Sequence, residues 1–135
     1  MNKINIGGIY VYRSLRNDQS VATNFDELEF GRGTMDLTDK NGVVKGVLDM
    51  GGDYQMTLEG MVESDDTHSY LRMTGYGVPG TVTDQWIYDY YGMIVPIWPE
   101  AVQQIPSITG SVIRTVDHGT AKAGVTATFY MVLSK

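Results

Sequence analysis

The fold of this chain is decided by one stretch, residues 86–99, which reads WIYDYYGMIVPIWP. This stretch contains both tryptophans, three of the nine tyrosines and two of the four prolines. Aromatic and β-branched residues dominate its first ten positions, which favours a β-strand, and Pro96 and Pro99 prevent regular structure from continuing. We therefore predict the central strand of a small all-β protein, followed by a loop at the barrel or sheet rim that contains Trp98.

Seven further segments have the alternation of apolar and polar residues, or the β-branched and aromatic content, that is typical of strands. They cover residues 4–13, 28–38, 43–50, 53–63, 69–77, 107–116 and 124–133. The apolar positions of the second segment change phase between Phe30 and Met35. A strand that changes phase contains a bulge, and Gly31-Arg32-Gly33 is the expected place for it.

The connections between these segments are short, and Asn41-Gly42 is a strong signal for a tight hairpin turn. Short connections without crossover helices predict an antiparallel meander, and closing it into a barrel removes both exposed edges. Glycines inside the strands supply the bends that closure needs: Gly8, Gly46, Gly60, Gly75, Gly92 and Gly110. We predict one domain, residues 1–135, that forms an eight-stranded antiparallel up-and-down β-barrel, with a β-sandwich as the second choice.

In strand number, meander order and length, the chain resembles the calycin-like small barrels, which are the relatives of lipocalins and avidin. It also resembles allene oxide cyclase and bacterial barrel cyclases in the same features. The Gly-x-Trp motif that lipocalins have near their first strand is absent, because Gly7-Gly8-Ile9-Tyr10 stands in that region. The resemblance covers most of the chain but transfers no catalytic residue to it.

Composition and motifs exclude several classes of function. The net charge is -6 and the ten Lys and Arg residues are scattered, so we expect no nucleic-acid partner. The chain has no cysteine, no apolar run long enough for a membrane span or a signal peptide, and no Gly-x-Ser-x-Gly motif. The two histidines, His68 and His118, lie in predicted turns without metal-ligand spacing, and we interpret both as solvated. We therefore expect a cytoplasmic protein without a metal or cofactor.

The candidates that remain are side chains with an apolar body and a polar tip, namely Tyr10, Tyr12, Tyr54, Trp86, Tyr88, Tyr90 and Trp98. A barrel of eight strands is either filled by side chains or holds one small ligand, so these residues form either ordinary packing or a pocket. Met35, Met56, Met73 and Met131 are expected in the interior as filling.

Arg114 shares a strand face with Ile108 and Val112, and a guanidinium on an inward face needs an acidic partner, an anionic ligand or access to water at the barrel mouth. The pattern indicates Asp89 as the nearest acidic candidate, whereas Arg72 is expected on the outside. We predict that the ligand-binding residues are Tyr54, Trp86, Tyr88, Tyr90, Trp98 and Arg114. Catalytic residues are not assigned.

Three functions follow as hypotheses. The first is a barrel that binds a small apolar or aromatic molecule without catalysis. The second is a cofactor-independent cyclase or isomerase, in which tyrosine hydroxyls or Arg114 stabilise developing negative charge. The third is an oligomeric interaction or assembly module, because the first and sixth strands have apolar residues on both faces and one barrel interior accommodates one face only.

Overall fold

The computed structural model describes residues 4–134, and these form one closed eight-stranded antiparallel β-barrel. The strands are β1 (Gly8–Arg16), β2 (Glu29–Lys40), β3 (Val43–Asp49), β4 (Gln55–Ser64), β5 (Ser69–Gly77), β6 (Ile87–Ile94), β7 (Ser107–Arg114) and β8 (Thr126–Leu133). Each strand pairs with the next and β8 pairs with β1, so the predicted up-and-down barrel is confirmed and the sandwich is wrong. Residues 1–3 and 135, which the predicted domain includes, lie outside the described part.

The bulge predicted in β2 and the tight turn predicted after it are both present, but the bulge lies one residue before Gly31-Arg32-Gly33. The register of β2 against β1 shifts so that Ser14 faces Gly31 while Leu15 faces Glu29, which makes Phe30 the extra residue of the bulge. At the other end of β2, Asn41 and Gly42 have φ angles of 54° and 87°, as a type I′ hairpin turn requires. A short 3₁₀ helix lies at Phe25–Leu28, in the connection between β1 and β2.

The N-terminal segment differs from the prediction, because β1 begins at Gly8 rather than at Ile4. Gly8 has a φ of 147°, which turns the preceding residues out of the strand. Ile6 is buried, its amide donates to Asp39 Oδ2 at 3.0 Å, and its carbonyl accepts from the Tyr10 hydroxyl at 2.8 Å. The segment therefore closes one end of the barrel instead of lengthening its wall.

The barrel interior is filled by side chains. Its centre is aromatic: the Phe129 ring lies 6.0 Å from Tyr12 and 5.7 Å from Tyr90. The four methionines expected inside, Met35, Met56, Met73 and Met131, are all buried in this core. At such packing the interior itself offers no volume for a sizeable ligand.

Glycines within the strands allow neighbouring strands to approach closely, as predicted. A Cβ added at Gly60 would lie 1.9 Å from the carbonyl oxygen of Arg72, and one added at Gly110 would lie 2.0 Å from that of Tyr91. These positions exclude any side chain, which is how a small barrel bends its strands.

On the outer surface, the Arg72 guanidinium lies 4.5 Å from the Tyr91 ring centroid, which confirms its expected external position. Among residues 4–134, no helix has the length and apolarity needed to cross a membrane.

Candidate functional site

Four of the six predicted ligand-binding residues meet at one end of the barrel. The Trp86 ring lies 6.1 Å from Tyr54 and 6.2 Å from Tyr88, and Arg114 Nε donates to the Tyr88 hydroxyl at 3.0 Å. They come from the ends of β4, β6 and β7 and from the connections beside them, which lie at the same rim in an antiparallel meander. We call the cluster of Tyr54, Trp86, Tyr88 and Arg114 the aromatic mouth.

The other two predicted residues lie elsewhere. Tyr90 is one inward position deeper than Tyr88, where it is buried against Tyr12 and forms the floor below the mouth. Trp98 is 71% exposed in the connection after β6, at the opposite end of the barrel. The separation of Trp86 from Trp98 follows from the sequence, because the two residues lie on either side of one strand of eight residues. Such a strand is about 26 Å long.

Arg114 faces inward at the rim, but the prediction that Asp89 is its acidic partner is wrong. Asp89 lies on the outer face and accepts a hydrogen bond from the Thr74 hydroxyl at 2.8 Å, because adjacent residues of a strand point to opposite faces and Tyr88 points inward. The Arg114 guanidinium instead donates to Tyr88 and, through one terminal nitrogen, to the Lys122 carbonyl at 3.1 Å. It also lies 5.2 Å from the centroid of the Phe30 ring, which gives a cation–π contact.

His118 is a residue of the site that the sequence did not indicate. Its ring stacks on Trp86 with centroids 4.2 Å apart and an angle of 17°, and its Nε2 lies 2.8 Å from the Tyr88 hydroxyl oxygen. The interpretation as a solvated turn residue is therefore wrong for His118. The contact depends on the connection between β7 and β8 folding back over the rim, which no periodicity or motif in the sequence predicts.

The hydrogen bonds of Tyr88 favour one protonation state of His118. Arg114 has only donors, so the Tyr88 oxygen accepts from Arg114, and its one proton is in position to be donated to an unprotonated His118 Nε2. That nitrogen is then unprotonated, and the network assigns the imidazole proton to Nδ1. Burial, and then the positive charge of Arg114, lower the pKa of His118 below its ordinary value of 6.5. At neutral pH the mouth therefore contains a neutral imidazole beside one guanidinium.

A narrow cavity of about 50 Å³ lies beneath the mouth, lined by Tyr12, Ser14, Phe30, Met50, Trp86 and Tyr90 among others. Burial raises the pKa of Tyr12 to about 12 and raises that of Tyr90 as well, so both phenols stay protonated at neutral pH. The Tyr12 hydroxyl is adjacent to those of Ser14 and Tyr90. The cavity has room for one or two waters or a small polar group, whereas pockets for whole drug-sized ligands measure about 300–1,000 Å³.

The opposite end of the barrel has a wider groove of about 400 Å³, lined mainly by apolar residues such as Ile4, Ile6, Ile94 and Ile97. Its polar lining residues include His68 and Thr67, and the His68 Nδ1 lies 2.7 Å from the Thr67 hydroxyl. In contrast to the aromatic mouth, no Asp, Glu, Lys or Arg side chain among residues 4–134 lines it. The sequence analysis did not identify this groove.

Comparison with known proteins gives no match: no family model matches the sequence, and no curated protein or solved structure is significantly similar to the chain. In residues 4–134, no three histidine or carboxylate side chains converge as metal ligands do. The mouth thus contains a guanidinium, a phenol that bridges it to a neutral imidazole, and flat aromatic surfaces. Such a set has the chemistry to contact an aromatic or apolar body and a hydrogen-bond acceptor at the same time.

Proposed function

We propose that this protein binds a small, largely apolar molecule at the aromatic mouth. The observation that supports this most is the convergence of Tyr54, Trp86, Tyr88 and Arg114 from distant parts of the chain to one rim. Binding sites for small molecules combine apolar and aromatic walls with a few polar groups that fix orientation. The closed eight-stranded barrel is compatible with the calycin-like resemblance, and the mouths of β-barrels are among the common locations of small-molecule sites.

The geometry favours a flat ligand with an acceptor group. The filled interior leaves about 50 Å³, so the body of the ligand lies between the aromatic rings at the rim and only a small group enters the cavity. The neutral phenols of Tyr12 and Tyr90 supply donors in the cavity, and Arg114 supplies donors at the rim beside Tyr88. An aromatic carboxylate matches both features, because guanidinium binds carboxylate strongly and stacking uses the rings.

Native mass spectrometry of freshly purified protein, before and after denaturation, is the first test, and it also reports the number of subunits. The second is a thermal-shift comparison of small aromatic acids with their matched neutral amides. We expect the acids to stabilise the protein more than the amides, and Arg114→Met to remove that difference. Trp98→Phe is the matched control, since Trp98 lies at the opposite end and its loss leaves binding unchanged. Equal binding to wild type and to a Trp86→Ala variant would contradict the proposal.

A second candidate function is a cofactor-independent isomerase or cyclase at the same mouth. It is favoured by the chain of hydrogen bonds from Arg114 through Tyr88 to His118, in which a cation orients a phenol against a neutral base. A bound carbonyl compound would accept from Tyr88 and Arg114 while His118 moves a proton between two carbon atoms of the substrate. If so, Tyr88→Phe abolishes turnover of a bound ligand but retains its binding; turnover that persists in Tyr88→Phe contradicts this role.

A further inference from the structure

We propose that residues 116–123 form a lid over the aromatic mouth, which neutral His118 holds closed and protonation of His118 opens. This rests on the proposed function in one respect, namely that the mouth is the binding site which the lid regulates. The lid lies in the connection between β7 and β8, and it contacts the mouth through His118 and the Lys122 carbonyl. The two ends of this connection stay attached to the barrel, because Thr115 donates to the Ile87 carbonyl and the backbones of Gly124 and Val125 bond that of Arg114.

Hydrogen bonds within the lid maintain its conformation. His118 and Ala121 exchange two backbone hydrogen bonds, at 2.9 and 3.0 Å, around a turn in which Gly119 has a φ of 61°. The carboxylate of Asp117 accepts from the Ala123 amide at 2.7 Å, and Gly124 has a φ of 92° where the chain returns to β8. Because these bonds are internal, they persist when the lid leaves the rim.

The neighbouring connection, residues 78–86, does not share this freedom. Its Thr83 is fully buried, accepts from the Val78 amide at 3.0 Å and donates to the Gln55 carbonyl at 2.8 Å. That connection holds Trp86 in place, so the indole is a fixed surface against which the His118 ring closes.

Protonation of His118 disrupts the closed arrangement. In the neutral form, Nε2 accepts the Tyr88 proton; in the charged form the same nitrogen becomes a donor and the Tyr88 proton loses its acceptor. The new charge also lies near the Arg114 guanidinium, which is fixed to Tyr88. Closure is therefore favoured only while the imidazole is neutral.

The other charged and titratable groups around His118 do not reverse this effect. From β7 it faces Arg114 and from β6 it faces Tyr88, while the 78–86 connection contributes the uncharged Trp86. Asp117, within the lid, favours the charged imidazole, but burial and Arg114 outweigh it and the pKa of His118 is lowered. The stabilisation of the closed lid is thus fully present above pH 6.5, the ordinary value, and is lost as the pH falls below it.

The experiment uses acrylamide quenching of Trp86 in a Trp98→Phe background, so that Trp86 is the one remaining tryptophan. The pH is varied from about 4 to about 8, without ligand, while NMR follows the His118 ring. We expect the quenching constant to rise roughly twofold as the half-buried indole becomes exposed, with the same midpoint as the His118 titration and below 6.5.

His118→Gln is the test variant, since a glutamine accepts the Tyr88 proton at every pH; its quenching is expected to stay low throughout. His68→Gln is the matched control and keeps the transition. A transition that survives in His118→Gln, or a His118 titration without a change in quenching, overturns the proposal. Since no ligand is involved, failure of the lid is distinguishable from failure of the binding function, which the thermal-shift comparison of acids and amides tests separately.

Discussion

Replacing Phe129 with alanine tests whether the barrel interior is a packed core rather than a ligand chamber. Phe129 is fully buried at the centre, between Tyr12 and Tyr90. Losing the buried ring costs about 2–3 kcal/mol in transfer free energy, and each aromatic contact adds about 1 kcal/mol. The expected loss in the free energy of unfolding is therefore about 4 kcal/mol, within the range of about 3–5 kcal/mol for Phe→Ala in cores.

The assay is equilibrium unfolding in urea, where about 4 kcal/mol lowers the midpoint by about 2 M at an m-value near 2 kcal/mol/M. Tyr130→Ala is the matched control, because Tyr130 is the next residue of β8, faces outward and is 42% exposed. We expect it to cost less than about 1 kcal/mol. Phe129→Leu gives a smaller version of the same effect if the alanine variant does not fold.

The cavity left by Phe129→Ala is expected to bind a small aromatic hydrocarbon, because an enclosed apolar cavity stays dry and accepts such ligands. Benzene should then raise the unfolding midpoint of the variant and leave that of the wild type unchanged. A loss below about 1 kcal/mol, or equal stabilisation of both proteins by benzene, would refute the description of the interior as filled.

Three further changes test other parts of the structure. Gly60→Ala should destabilise the barrel far more than Gly75→Ala in urea unfolding. The new Cβ meets a backbone carbonyl oxygen at 1.9 Å in the first case and only side-chain atoms, at 3.2–3.3 Å, in the second. Thr83→Val should lower the free energy of unfolding by about 1–3 kcal/mol, because the Val78 amide loses its buried acceptor. Val82→Thr in the same connection should change it by no more than about 0.5 kcal/mol, and urea unfolding of both variants measures the difference. The unfolding free energy should fall as the pH rises from 10 to about 12, because the unfolded chain loses the Tyr12 proton near 10 and the folded chain retains it to about 12; Tyr12→Phe should flatten that fall in alkaline denaturation.

Most of the fold was accessible from the sequence because its signals are local. Alternation along β4, the Asn41-Gly42 turn and the phase change at Phe30 each specify backbone conformation within a few residues. The start of β1 was misplaced because Ile4 and Ile6 continue its apolar pattern, while the actual break is a backbone angle at Gly8 that periodicity does not record.

The site was predictable only in part, because it depends on contacts between distant segments. Trp86, Tyr88 and Arg114 are inward or rim positions of adjacent strands, so a correct face assignment brings them together. The stack of His118 on Trp86 depends on how an irregular connection folds back, and no local pattern encodes that. The proposed partner Asp89 failed for a simpler reason, since it occupies the face opposite to its neighbour Tyr88.

A filled interior and a polar chain at one rim together limit where function is located on this barrel. Side chains such as Phe129 occupy the centre, so a ligand would find little space there and would contact the aromatic rings at the rim. Arg114 is held at that rim by Tyr88 and the Lys122 carbonyl, and part of its charge remains available to an acceptor because neither partner is a carboxylate. An anion that binds there would also favour a protonated His118, so ligand binding and lid opening are thermodynamically linked: an aromatic acid should raise the midpoint of the His118 titration, and a neutral amide should leave it unchanged.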